Sequence, residues 1–213
     1  MRIVRDGAPF VAPAEELEAA RRSHDFLRAF ARDKVIYGIN TGFGPLAQQH
    51  VPEAEQQRIQ YNLVHSHAAG MGAPLPTVVV RAMMLDRAIT FLKGRSGVSP
   101  AVIEQLVYFL NKGIHPTVPE HGGVGASGDL TQLAHMGLGL IGEGTAEYRG
   151  ERRPVANILR EQGRAPLQLE LRDGLAIVNG TACMTGYGLI NVHHAQELLD
   201  RAIAMGALLC EVA

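Results

Sequence analysis

The chain has 213 residues, 46% of them hydrophobic and 19% charged, an ordinary soluble composition long enough for a sizeable core and one or two domains. A formal net charge of −1 with scattered Lys and Arg leaves no basic stripe, so nucleic acid is not an expected partner. No run reaches about 18 apolar residues, and the start, Met1 to Gly7, lacks the apolar core of a signal peptide; no membrane association is expected, and the expected location is cytoplasmic.

In chain order, Pro13 followed by Glu15 and Glu16 starts a helix whose face carries Leu17, Ala20, His24, Leu27 and Ala31, running to about Asp33. A glycine-rich loop from Tyr37 to Pro45 follows, and its Gly38, Gly42 and Gly44 suit a mobile lid. Helical patterns then span Pro52 to Ala69, Pro76 to Leu92 and Pro100 to Asn111, each opened by proline and closed near glycine or asparagine. After a second glycine-rich loop, a helix is expected from Asp129 to Ile141, with Gly137 and Gly139 marking close packing. Thr145 to Arg153 reads as a hairpin turned at Arg149-Gly150, and Pro154 to Gln162 as a short helix. A long helix is expected from about Met184 to Ala213, where the chain stops with no cap and an unmatched apolar face, as though cut short. The protein is therefore expected to be mainly α-helical.

The second glycine-rich loop, Gly122-Gly123-Val124-Gly125-Ala126-Ser127-Gly128-Asp129-Leu130, carries the most chemistry. Flanking glycines let the main chain bend until the Gly128 amide nitrogen reaches the Ala126 carbonyl carbon. Cyclisation and dehydration there yield a 4-methylidene-imidazole-5-one ring (MIO), an electrophile made from the backbone itself. The same letters satisfy the dinucleotide fingerprint G-x-G-x-x-G, but Pro116 and Pro119 interrupt the buried parallel strand that fingerprint needs. A loop that merely caps the next helix is the remaining alternative, and Asp129 suits either a cap or a support for the ring-forming groups. His65 and His67, two apart on a helix, do not share a face, and no carboxylate or cysteine cluster completes a site, so no metal is expected. Cys183 and Cys210 read as buried small apolar groups, with Cys183 a weak nucleophile candidate.

Three further segments accompany this loop: Tyr37-Gly38-Ile39-Asn40-Thr41-Gly42-Phe43-Gly44, Asn62-Leu63-Val64-His65-Ser66-His67, and Val178-Asn179-Gly180-Thr181. In this order the four resemble the aromatic amino acid ammonia-lyases, a family comprising histidine, phenylalanine and tyrosine ammonia-lyases with related aminomutases. The resemblance covers essentially the whole chain. It implies the helical fumarase/aspartase-like ammonia-lyase superfamily fold, with an MIO-bearing catalytic domain over 1–181 and the first part of a central helical bundle over 182–213. It also implies the non-oxidative removal of ammonia from an aromatic L-amino acid, in a homotetramer that builds each pocket from several subunits.

By the same resemblance, Ala126, Ser127 and Gly128 supply MIO, Tyr37 is the base that takes the β-proton, and Asn179 orients substrate or ring. Gly42, Ser66 and His67 are expected to bind substrate. The imidazole of His67 suits a substrate imidazole or a phenol hydroxyl. Thr131-Gln132, where typical histidine ammonia-lyases have Ala-Pro, leans the reading towards tyrosine, with histidine open. Arg87-Ala88-Ile89 departs from the Arg-x-Asn of many members, so one polar contact near the core is expected to be missing. The family's carboxylate-binding arginine and second tyrosine lie beyond the point matching Ala213. An aminomutase and a truncated, non-catalytic assembly module remain as alternatives.

Overall fold

The computed structural model describes residues 1–212; the end of the expected last helix, Ala213, lies outside them. Its central helix is built from Thr77-Val-Val-Val-Arg-Ala-Met-Met, whose apolar residues leave almost no polar face. It is accordingly buried nearly all round, with Val79, Val80, Ala82, Met83, Met84, Ala88, Phe91 and Leu92 in the core.

The helices are α1 (Arg2–Arg5), α2 (Ala14–Phe30), α3 (Glu53–His67), α4 (Thr77–Leu92), α5 (Pro100–Lys112), α6 (Leu130–Leu140), α7 (Val155–Glu161), α8 (Asp173–Val178) and α9 (Ala182–Val212). α4, the central helix, packs against α1, α2, α5 and most extensively α9. Helices α3, α6 and α8 form a second mutually packed group. Each helix expected from a proline start is present within a residue or two. The proline stands at N-cap in α2, α3, α4 and α7 and at the first helical position in α5, where its missing N–H costs nothing.

The strands are short and antiparallel. β1 (Met71–Pro74) pairs with β3 (Pro119–His121), and β2 (His115–Pro116) pairs with β4 (Thr145–Tyr148), which turns back into β5 (Glu151–Pro154). The β4–β5 hairpin turns at Arg149 (φ 54°) and Gly150 (φ 81°), a tight turn with two left-handed residues, as the Arg-Gly pair predicts. The segment ahead of the Ala-Ser-Gly loop is thus an antiparallel ribbon and not the parallel strand of a nucleotide fold.

The elements the sequence does not announce are α1, the β1–β3 ribbon, β2 and α8. The six residues of α8 are all buried, so they present no amphipathic period. α9 starts two residues ahead of the expected long helix. The stretch Asp173–Val212 is long and apolar enough, by length and composition alone, to cross a bilayer. The first turns of α9 are core, with Ala182, Cys183, Gly186 and Ile190 buried beside α4. Beyond Ile190, Leu198, Leu199, Ile203, Leu208 and Leu209 are exposed.

Candidate active site

The glycine-rich loop leaves β3 and enters α6 at Leu130. Gly122, Gly125 and Gly128 all take positive φ (128°, 70° and 83°), conformations that side chains resist. Gly128 pairs through its backbone with both Gly125 and Ala126, so the chain doubles back within the tripeptide itself. A Cβ on Gly128 would collide with the Gly180 carbonyl, so the position admits glycine alone on two counts.

Asn179, the residue closing α8, comes to the same place. Its Nδ2 donates to Ser127 Oγ at 2.9 Å and to the Ser127 carbonyl at 3.3 Å. The next residue joins in, as Gly180 O accepts the Asp129 N–H at 2.7 Å. Asp129 itself resolves the open choice between cap and support. Its carboxylate does not cap α6; Oδ2 accepts the Met184 N–H at 2.9 Å and so caps the first turn of α9. The tripeptide is therefore held from the α8 end by Asn179 and Gly180 and from the α9 end through Asp129.

Behind this turn stands Arg87 of α4, which sequence reasoning noted only as part of a departure. It is 5% exposed, and its Nη2 donates to the Ala176 carbonyl and, at 3.3 Å, to the Asn179 carbonyl. Ile89 is 42% exposed, so the polar contact expected to be missing near the core is not at a core position. Cys183 is no nucleophile: burial and the neighbouring Asp129 push its thiol up to about 11, keeping it protonated at neutral pH.

Gly42, Ser66 and His67 form a second group, and Tyr37 stands beside it against Phe43 without lining the same cavity. The loop carrying Tyr37 is closed by the pairing of Thr41 with His50 and by the bond from Gly42 N to Gln49 O. Tyr37 Oη accepts the Gly44 N–H at 3.1 Å, and its ring stands edge-on to Phe43. That amide is one of the donors a phenolate would require. The glycines of this loop serve different needs. A Cβ on Gly42 would lie 2.7 Å from Leu46 O, and Gly38 lies against Leu175 of α8 with its carbonyl bonded by Gln60 at 2.8 Å. These two allow close packing, whereas a Cβ on Gly44 would meet nothing within 4 Å.

Gly42, Phe43, Ser66 and His67 line one cavity of about 450 Å³ between this loop and α3. His67 Nδ1 is 2.9 Å from the Leu63 carbonyl. A carbonyl only accepts, so Nδ1 carries the proton and the neutral ring offers Nε2 as an acceptor. Ser66 Oγ bonds the same carbonyl at 3.1 Å and Nδ1 at 3.0 Å, fixing the ring plane. The Ala126–Gly128 tripeptide and Asn179 do not line this cavity; the two groups are linked through α8, which carries Leu175 against Gly38 and ends at Asn179.

The aromatic amino acid lyase family profile matches residues 1–213. The chain belongs to this family. It is 45% identical over 211 residues to the histidine ammonia-lyase of Geobacillus thermodenitrificans, covering 99% of this chain and 42% of that protein. It is 43% identical over 195 residues to the tyrosine 2,3-aminomutase of Myxococcus fulvus, covering 91% of this chain and 37% of that protein. Among solved structures, the phenylalanine aminomutase of Pantoea agglomerans superposes with a TM-score of 0.90 at 34% identity, over 94% of this chain and 39% of that one. The chain thus spans about two fifths of the length of the relatives it matches. Its mainly helical fold is that of the ammonia-lyase superfamily.

For a chain of the aromatic amino acid lyase family, the tripeptide geometry is a direct test of fit to the self-made MIO group. The backbone already doubles back, the Cβ-free position is enforced at Gly128, and the Ser127 hydroxyl that must leave is held by Asn179. The residues present fit the group.

Proposed function

We propose that this chain carries the electrophile-forming half of an enzyme that removes ammonia from an aromatic L-amino acid. The observation that carries the reading is the tripeptide clamped at Ser127 by Asn179 and at Asp129 by Gly180. When formed, MIO supplies an electrophile for the substrate's amine and so makes nitrogen a better leaving group.

The chain's own residues take part of the work. Ala126, Ser127 and Gly128 provide the ring atoms, Asn179 holds Ser127, and Tyr37, with its oxygen already bonded by the Gly44 amide, takes the β-proton. Gly42, Ser66 and His67 receive the substrate's side chain in their cavity. An acceptor at His67 Nε2 suits a ring bearing a donor, which a tyrosine phenol and a histidine imidazole both are and a phenylalanine ring is not. Tyrosine is the first reading. Histidine is the second, supported by the ammonia-lyase names of several relatives, while Thr131 and Gln132, which lean towards tyrosine, do not line the cavity.

Residues 1–181 form the catalytic unit in this reading, and 182–213 begin a helical bundle. A homotetramer in the cytoplasm belongs to the same reading; the apolar residues that α9 exposes beyond Ile190 support association with further helices.

Intact mass of the purified protein beside Ser127→Ala tests the first step. A wild-type mass two waters below that of its plain sequence, with Ser127→Ala at its own sequence mass, is expected; a wild type at its plain sequence mass would sink the reading. Incubation with L-tyrosine and L-histidine, read for coumarate, urocanate and β-tyrosine, then separates lyase from mutase and one ring from the other.

A further inference from the structure

We infer that Arg87 is a positioning residue for making the electrophile: its buried guanidinium fixes the Asn179–Gly180 turn against which Ala126-Ser127-Gly128 folds. The inference rests on the tripeptide being the site of that chemistry.

α8 ends in carbonyls that the helix itself cannot satisfy, and its negative dipole end points the same way. Arg87 answers both needs, with Nη2 donating to the Ala176 and Asn179 carbonyls. Its Nη1 occupies the space beside Gly180 that any side chain there would need, so guanidinium and turn are in direct contact. From that turn contacts reach the tripeptide and the residue after it: Asn179 Nδ2 on Ser127 Oγ and on the Ser127 carbonyl, Gly180 O on the Asp129 N–H, and Gly180 O where a Cβ of Gly128 would stand.

The cost of this arrangement argues that it is specific. Arg87 lies within ion-pair distance of no carboxylate among the described residues, and its Nε has no hydrogen-bond partner. The Phe91 ring lies 4.4 Å from the guanidinium carbon, and the Asp86 carboxylate adds an attraction that is weaker than the cost of burial. Burial lowers its pKa to about 10, a sign of how poorly the charge is solvated. An apolar side chain of similar length would fill the space without that penalty, and would leave both carbonyls unbonded.

Ring formation depends on this placement. The Gly128 nitrogen bonds to the Ala126 carbonyl carbon, and that oxygen leaves as one water. Ser127 loses its Cα proton and its hydroxyl as a second water, leaving the exocyclic methylene. Both losses need the Gly128 nitrogen and Ser127 Oγ held in register, and the turn that holds them leans on Arg87.

The test compares wild type, Arg87→Lys, Arg87→Met, Arg87→Ala and Ser127→Ala by two readouts: intact mass against time after synthesis, and amide exchange at Asp129, with α5 amides such as Leu106 as an internal control. Arg87→Lys keeps a charge but cannot bond two carbonyls in one plane. The expected result is Asp129 exchange at least about 10-fold faster in the Arg87 variants with α5 unchanged, and water loss slowed by a similar factor. Free guanidinium added to Arg87→Ala should restore part of the rate, which a merely structural defect would not allow. Wild-type Asp129 protection in a folded Arg87→Lys protein would overturn the inference. If Arg87→Met fails to fold, the lysine variant and the guanidinium rescue still decide. A wild-type protein that keeps its plain mass sinks the electrophile reading, while the exchange readout still tests Arg87.

Discussion

The carboxylate of Asp129 accepts the Met184 amide at 2.9 Å, so the residue that follows Gly128 caps the long helix α9 and not its own helix α6. The Ala-Ser-Gly loop and the long helix are thereby fastened at one atom. Asp129→Ala should cost about 1 kcal/mol, the usual value of a lost N-cap, with Asp129→Asn costing less because its amide oxygen still accepts. Chemical denaturation checks the stability, and intact mass checks whether loosening α9 also slows the two-water loss.

Gly128 is the position where substitution should be least forgiving. Its φ of 83° strains any L side chain, and a Cβ would meet the Gly180 carbonyl. Gly128→Ala should cost roughly 1–3 kcal/mol in backbone strain and abolish water loss in whatever protein folds. Gly125→Ala, where φ is 70° but open space surrounds the Cβ, should be the milder of the two. Parallel mass and melting measurements on the pair separate strain from collision.

Much of this was legible in the sequence because helices announce themselves by period and by proline. The starts at Pro13, Pro52, Pro76, Pro100 and Pro154 and the Arg149-Gly150 turn are local facts, and the structure repeats them. The tripeptide and Asn179 were legible as motifs, and the structure adds the bonds between them. α8 was not legible, since six buried residues between polar neighbours have no period to read. Nor was Arg87 as a support for Asn179, because the two lie 92 positions apart and only packing brings them together. The close approach at Gly42 was not legible for a related reason: a glycine needed for room beside Leu46 looks the same in sequence as one needed for motion.

His67 gives the clearest handle on substrate. With Nδ1 bonded to Leu63 O, its Nε2 is an acceptor in the cavity that Ser66 and Gly42 share. His67→Phe removes that acceptor and replaces it with an apolar face. Activity on a ring that carries a donor should fall by about 10²-fold or more relative to phenylalanine, since a substrate hydroxyl or N–H would then be buried without a partner. Ratios of kcat/KM for tyrosine, histidine and phenylalanine in wild type and variant read this directly, and an unchanged ratio would remove His67 from the binding site.

The acid limb of stability should be shaped by His115 of β2. Burial first, and the neighbouring Arg81 cation second, depress its pKa from 6.5 to about 4, and Arg81 Nη1 bonds its Nε2 at 2.9 Å. The folded protein therefore holds this ring neutral while the unfolded chain protonates it near 6.5. Between those values the unfolded state binds more protons, so stability is fully present above about 6.5 and is lost as pH falls towards 4. Partial exposure of the ring discounts the effect to roughly 2 kcal/mol. His115→Gln keeps an oxygen that can accept from Arg81 but does not titrate, so its unfolding free energy should vary less with pH across this window. Denaturant unfolding of both proteins at intervals from pH 4 to 7 checks the prediction. Because Arg81 also bonds the Ile3 and Val4 carbonyls, amide exchange in α1 should report the same transition, rising in the wild type as His115 charges and repels the guanidinium that anchors the N-terminus.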